Sequence, residues 1–302
     1  MERYNSLSKY LKTKYGEKVA KLSLDAGFSC PNRDGTISIG GCVFCSEKGS
    51  GEFTSGHLNI KNQIDIQKSI ARKKWNTNHF IAYFQNFTNT YGDVETLRAV
   101  YEEALSDNEV VGLAIATRAD CLDEDVLNLL EELSKTTNLW LEIGMQSTNE
   151  DTIRNINRCY THNYLNEKLQ ELNNRNIKFV LHVIFGLPGE DDVDMLNSIK
   201  YVNSIRAFGI KIHSLYIQRD TNLYLKYLEN PYPLLNKDEY TSLVVDAIGL
   251  LCPDIIIHRI TGDADKSMLH EPKWAADKLS VIGEINKKLK EGEVIQGINF
   301  DI

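Results

Sequence analysis

A chain of 302 residues, 42% of them hydrophobic, can bury a sizeable core as one large domain or two ordinary ones. Its formal net charge of -8 excludes a generally basic nucleic-acid-coating protein, although a local basic surface stays open. No run of about 18 apolar residues appears, and the first residues lack an apolar signal-peptide core, so neither a membrane span nor secretion is expected.

The first apolar, β-rich run is Val19–Leu24. Directly behind it comes SLDAGFSCPNRDGTISIGGCVFCSEKGSG, in which Cys30, Cys42 and Cys45 are spaced C-x11-C-x2-C. Three clustered thiolates with no fourth suit an iron–sulfur cubane that keeps one iron free of protein ligands. A structural zinc site closed by a fourth ligand, such as His57, is the alternative, and spacing alone does not separate the two. Cys121, Cys159 and Cys252 occur singly and form no disulfide framework, which predicts a reducing, cytoplasmic setting.

Similar apolar runs follow at 80–84, 110–116, 139–145, 179–185 and 210–217. Amphipathic segments lie between them. Val126, Leu130 and Leu133 repeat behind Asp123 as a helix N-cap, and Leu165, Leu169 and Leu172 repeat at i, i+4, i+7. Strands alternating with helices predict right-handed βαβ units and a parallel sheet. Six units fall short of the eight that close a barrel. An open six-unit barrel fits the count, and a doubly wound sheet competes with it. Pro231 and Pro233 then change the pattern. A helix over 237–251, a short strand over 255–260, the polar loop TGDADKSMLHEPKW and a helix over 275–290 follow. The expected division is a barrel with its cysteine loop over 1–230 and a C-terminal extension packing on it over 231–302.

Three basic runs are candidates for a local positive surface or for plain solvated faces. They are Lys12, Lys14, Lys18 and Lys21; Lys61, Lys68, Arg72, Lys73 and Lys74 on a helix ending at Trp75; and Lys287, Lys288 and Lys290.

The ordered motifs CPNRDGTISIGGCVFC, YFQNFTNTYG, ATRADCL, LEIGMQS, IFGLPGE, KIHSLYI and HRITGDADK span nearly the whole chain. They resemble the radical S-adenosylmethionine (SAM) superfamily, and more narrowly a bacterial branch related to the Elongator catalytic subunit. The long first cysteine gap departs from the superfamily's C-x3-C-x2-C and is like that branch. The resemblance implies an α/β fold, a partial (β/α)6 TIM-like barrel with a C-terminal α-rich extension. It implies one 4Fe-4S cluster on Cys30, Cys42 and Cys45, with SAM on the open iron. Phe44 would meet the adenine through its backbone. Gln85 ends the second strand in QNFTNT, where the superfamily has a Gly-Gly-Glu stretch for the SAM amino group. Thr117 ends the third strand facing the same site, or simply caps it. Gln146 would serve the ribose, Arg158 on the following helix the methionine carboxylate, and His182 and Ile184 the ribose and adenine.

His213, Tyr216 and Gln218 would line the substrate side or pack. Arg259, Asp263, Asp265 and Lys266 would form a substrate-facing loop near Lys273 and Trp274. His213, Tyr216 and Lys266 are the catalytic candidates. The implied substrate is tRNA, at a wobble uridine whose 5-carboxymethylaminomethyl group is trimmed to 5-aminomethyl, with the base stacked on Trp274 or Tyr216. A flavodoxin or ferredoxin would supply the electron. A radical SAM enzyme acting on a small metabolite or protein, and a zinc-stabilised nucleic-acid-binding module, are the rival expectations.

Overall fold

The computed structural model describes residues 2–49, 54, 56 and 58–300. The predicted strands form β1 (Val19–Leu24), β2 (His79–Phe84), β3 (Val110–Thr117), β4 (Asn138–Gln146), β5 (Lys178–Phe185) and β6 (Gly209–Ser214). After them come β7 (Ile217–Gln218), β8 (Ile256–Arg259) and β9 (Leu269–Glu271). Seven strands pair in parallel in the order β1-β2-β3-β4-β5-β6-β8. Sequential order without reversal makes an open half-barrel and rules out the doubly wound sheet, whose strand order turns back on itself.

Two expectations change here. The run at 210–217 is not one strand: the chain leaves the sheet after Ser214, and Ile217–Gln218 pairs antiparallel with Leu269–Glu271. The apolar run hides this break because Leu215 and Ile217 are buried just as the strand is. The count of six strands also rises to seven, because Ile256–Arg259, beyond residue 230, joins the sheet alongside β6. Asn5 and Ser6 reach the outer edge of that strand, where the Asn5 carbonyl accepts from the Ile257 N–H at 2.8 Å.

The helices cover the outer face. Asp123 caps Glu124–Thr136 through the Val126 N–H, as its position predicts. Leu165, Leu169 and Leu172 of His162–Asn174 are fully buried, each worth about 1.5–3 kcal/mol of apolar burial. Helix Lys237–Leu250 is closed by a capping box between Asn236 and Glu239. The last helix starts at Lys278, because Lys273–Ala276 winds a 3-10 turn first. The inner face carries a layer of apolar side chains at the base of the strands, among them Ile81, Ala114, Trp140 and Val180. Above it the same strands turn polar.

Candidate active site

Each parallel strand delivers its following loop to one end of the half-barrel, where catalytic groups of such folds gather. The loop after β1 is held in shape by its own backbone. Cys30 accepts N–H bonds from Arg33 and Asp34, and Cys42 accepts one from Cys45 at 3.0 Å. Gly40 and Gly41 sit at φ 86 and 82, in the left-handed region that glycine adopts without strain. Asn32, wholly buried, donates to the Asn157 carbonyl at 2.6 Å and to the Cys42 sulfur at 3.6 Å. This ties the cysteine loop to the segment after β4.

Cys30, Cys42 and Cys45 border a single cavity of about 350 Å³. Burial pushes the Cys42 thiol up to about 12, and Cys45 and Cys30 add to the rise while Arg118 opposes it. Such a thiol stays protonated until a cation takes the proton's place. Among the described residues no three His, Cys, Asp or Glu side chains converge as ligands of one ion. Three thiols bordering one cavity offer the donor set of a cubane that keeps one iron open to that cavity. His57, the fourth ligand of the zinc alternative, lies outside the described residues.

A second wall holds two buried arginines. Arg158 does not lie on the helix after β4: that helix, Glu150–Asn155, ends early, and Asn157 at φ 57 turns the chain so that Arg158 points inward. Its guanidinium donates to the Met145 carbonyl at 2.7 Å and packs over the Tyr160 ring at 4.5 Å. Its Nη2 is buried without a partner. An orphaned guanidinium nitrogen bordering a cavity fits a bound carboxylate. Arg118 is paired in fork geometry with Asp120, at 2.9 and 2.7 Å, and donates to the Arg158 carbonyl. Sequence reasoning quoted ATRADCL without singling out Arg118, and passed over Tyr160 altogether.

Phe44, Gln85, Thr117, Gln146, His182 and Ile184 all border this cavity. Gln85 accepts from the Ser23 hydroxyl at 3.0 Å. Gln146 closes β4 at φ 61 beside a bulge. His213, Tyr216 and Gln218 also border it, as do Arg259 and Asp263. Lys266 does not: it is exposed on the loop before β9, and Asp265 turns back on Ser267. Trp274 is not a free stacking platform. Its indole donates to the Leu235 carbonyl and packs 5.2 Å from the Tyr240 ring.

The cavity floor holds a charge cluster that the motifs did not reveal. Glu142, wholly buried, accepts from Lys21 at 2.6 Å and Trp140 Nε1 at 3.2 Å on one oxygen. Lys211 and His182 meet the other oxygen. The two lysines hold the Glu142 carboxyl well below its usual range against the opposing effect of burial. The signal was present: Lys21, Glu142 and Lys211 are each the lone charge in an apolar strand, VAKLSL, NLWLEIGMQ and GIKIHS.

Burial, with Lys211 beside it, lowers His182 to about 4. An unfolded histidine titrates near 6.5, so the unfolded chain binds more protons between pH 6.5 and 4. Stability is therefore expected to fall as pH drops through that window, by up to about 3 kcal/mol from this residue. Urea midpoints measured across pH 4–7 test this, and His182→Gln should flatten the slope.

The basic runs contribute less surface than their sequence promised. Lys21 is spent inside the barrel. Lys68 is buried against Asp107 and Glu109, Arg72 also pairs with Glu109, and Lys288 pairs with Asp238 at 2.7 Å. Lys18 and Lys74 flank the Trp75 ring at 4.9 and 4.6 Å. Lys18 directly precedes β1 and Lys74 lies in the last turn of the helix Ile60–Trp75 that leads into β2, so both stand at the end of the barrel opposite the cysteine loop.

Among the described residues no helix is long and apolar enough to cross a membrane. Residues 30–202 match the family model described as the radical SAM superfamily, and residues 207–291 match the radical SAM C-terminal domain. The chain is 41% identical over 300 residues to the uncharacterized protein YtqA of Bacillus subtilis, covering 99% of this chain and 93% of that one. It is 29% identical over 188 residues to Elongator complex protein 3 of Schizosaccharomyces pombe, covering 61% of this chain and 34% of that one. In fold it is similar to the archaeal Elp3 of Methanocaldococcus infernus, with a TM-score of 0.70 at 15% identity, over 92% of this chain and 64% of that one.

Proposed function

The chain belongs to the radical SAM superfamily, in a family related to Elongator, and on that premise we propose that it modifies a wobble uridine of tRNA, trimming a 5-carboxymethylaminomethyl group to 5-aminomethyl. Its cofactors are a 4Fe-4S cluster and SAM. Cys30, Cys42 and Cys45 would hold the cluster. When bound, the pair supplies a 5′-deoxyadenosyl radical by one-electron cleavage of the SAM sulfonium. The protein aligns that chemistry and keeps water from it.

The observation that carries the SAM assignment is the buried, unpartnered Nη2 of Arg158 on the cavity wall shared with Cys42. In this reading Arg158 binds the methionine carboxylate, and Gln146, His182, Ile184, Gln85, Thr117 and the Phe44 backbone surround the rest of SAM. His213 and Tyr216, from the end of β6, face the substrate. Losing a carboxymethyl unit from nitrogen is hard for acid–base chemistry. Loss of a hydrogen atom and then an electron from the glycine-like carbon would give an imine, which water would split into the 5-aminomethyl group and glyoxylate, with SAM as the net two-electron oxidant leaving as methionine and 5′-deoxyadenosine.

Sequence similarity to Elongator complex protein 3 supports the tRNA reading. So do exposed cations in the segments that follow the sheet strands: Lys48, Arg219 and Lys266 on loops, Lys226 on the helix Asn222–Glu229 and Lys273 at the start of a 3-10 turn. These replace the runs near Trp75 as the phosphate-facing candidates. A flavodoxin or ferredoxin in the cytoplasm would deliver the electron.

The test is anaerobic reconstitution, then incubation with SAM, dithionite and tRNA from a strain lacking the gene. Mass spectrometry is expected to show 5′-deoxyadenosine together with a trimmed wobble uridine. Deoxyadenosine with unchanged tRNA would transfer the chemistry to a small metabolite or a protein.

A further inference from the structure

We propose that Lys211, set beside Glu142 at the cavity floor with Lys21 behind that carboxylate, forms a receptor for a carboxylate carried by the substrate. This deepens the proposed function and rests on it for the substrate's identity, although the receptor itself rests on the charges of the floor.

Counting charges leads to it. One carboxylate, Glu142, faces two ammoniums, Lys21 and Lys211, so the cluster carries one positive charge in excess. Arg259 nearby is a cation too, and its partner Asp263, at 3.3 Å, is shared with Lys278, so Asp263 does not offset the excess. The Tyr83 ring lies against both lysines, 3.8 Å from Lys21 Nζ and 4.8 Å from Lys211 Nζ, and its hydroxyl is 3.2 Å from Lys211 Nζ. Among the described residues Lys211 is thus buried beside a single counter-charge that it shares, and an excess buried cation is costly until an anion meets it. Burial, with Lys21 and Arg259 adding, lowers Lys211 to about 7. An arriving carboxylate would restore its charge.

The floor is also shaped to receive a group. Lys211, Glu142, His182 and Tyr83 all border the cavity that the cysteines border. His213 sits two residues above Lys211 on β6, about 6.6 Å along the strand. Its Nε2 is buried without a partner, and its ring is 5.3 Å from that of His182. A carboxylate on Lys211 would leave the adjoining carbon beside His213, on the way to the strand ends and the cysteine loop. The receptor sits on strands, so its geometry is fixed before substrate arrives. A nucleoside side chain ending in a carboxymethylamine has the required terminal anion. Its trimmed product has only an ammonium, which the lysines would repel. The floor would then both select the substrate and expel the product.

Binding to the reconstituted, SAM-loaded enzyme tests this by calorimetry with three probes: malonate, 5-carboxymethylaminomethyluridine and 5-aminomethyluridine. Lys211→Gln leaves Lys21 and Glu142 as a neutral pair, so it is expected to fold, with circular dichroism as the check. Lys211→Arg keeps the charge and serves as the second variant. Malonate should bind wild type and Lys211→Arg, and at least about 10-fold more weakly to Lys211→Gln. Equal binding to wild type and Lys211→Gln, or none to wild type, overturns the receptor. The nucleosides separate this outcome from the fate of the tRNA reading. If neither binds while malonate binding still depends on Lys211, the wobble-uridine reading falls and the receptor stands. If both bind wild type equally, the receptor falls even where tRNA is modified.

Discussion

Cys42→Ala is expected to lower 5′-deoxyadenosine formation by more than about 100-fold and to leave less than one iron per chain after reconstitution, against about four in wild type. Removing a hydrogen-bond partner of a metal ligand already costs about 10–100-fold, so removing the ligand should cost more. The position is demanding for a reason visible around it. The thiol is buried, is pushed up to about 12, and accepts a bond from the Asn32 amide. Arg118 and Asn32 favour the thiolate too weakly to overcome that burial, and a bound metal cation would supply the rest. The alanine itself should fold, since the loop is held by Asn32 to Asn157 and by Val43 N–H to the Ile156 carbonyl. Iron and sulfide assays beside mass spectrometry of the nucleoside decide it. Wild-type iron content and wild-type deoxyadenosine in the variant would sink the ligand assignment.

Glu142→Gln is the second large effect, and it acts on stability. The substitution keeps the shape but strips Lys21 and Lys211 of the one counter-charge that they have among the described residues, in a buried site. Breaking a buried pair in this way costs about 3–5 kcal/mol. Replacing the cluster together, as Lys21→Met, Glu142→Leu and Lys211→Met, should cost less than the single change, because no charge is left stranded. The deficit also has a sign in pH. Without Glu142 the folded Lys211 sheds its proton more easily, while an unfolded lysine keeps its proton to about 10.4. The unfolded variant therefore binds more protons, and the variant should recover stability as pH rises from 6 to 9. Urea unfolding of the three proteins at both pH values measures this. A single variant as stable as wild type would show that the carboxylate does not neutralise the lysines.

The local parts of this protein were legible because local physics writes them. Val19–Leu24 and its successors read as buried parallel strands from their continuous apolar runs, and Asp123 read as a cap from its place before an apolar repeat. The three cysteines declared a metal loop by type and spacing, and the ordered motifs around them, not the spacing, pointed to an iron–sulfur cluster. Resemblance named SAM-side residues that all border one cavity, whereas of its substrate-side residues Asp265, Lys266, Lys273 and Trp274 do not. The errors fell where a residue's role depends on a distant partner. Lys68 and Lys288 look like surface charge until Asp107, Glu109 and Asp238 fold against them. Trp274 looks free until Tyr240 covers it. The break after Ser214 cannot be seen in an apolar run, because β9 buries what lies beyond it.

By itself, then, the sequence determined the strand–helix alternation, the cluster loop and the family, since each depends on neighbours within a few residues or on an ordered string of motifs. Only the tertiary structure decided that Lys21, Glu142, His182 and Lys211 form one cluster, and that Arg158 turns inward beside Arg118. These groups come from β1, β4, β5 and β6 and from the turn after β4, up to 190 positions apart by residue number (211 less 21). A charge in an apolar strand has no assigned partner until the sheet curls and brings the strands' inner faces together.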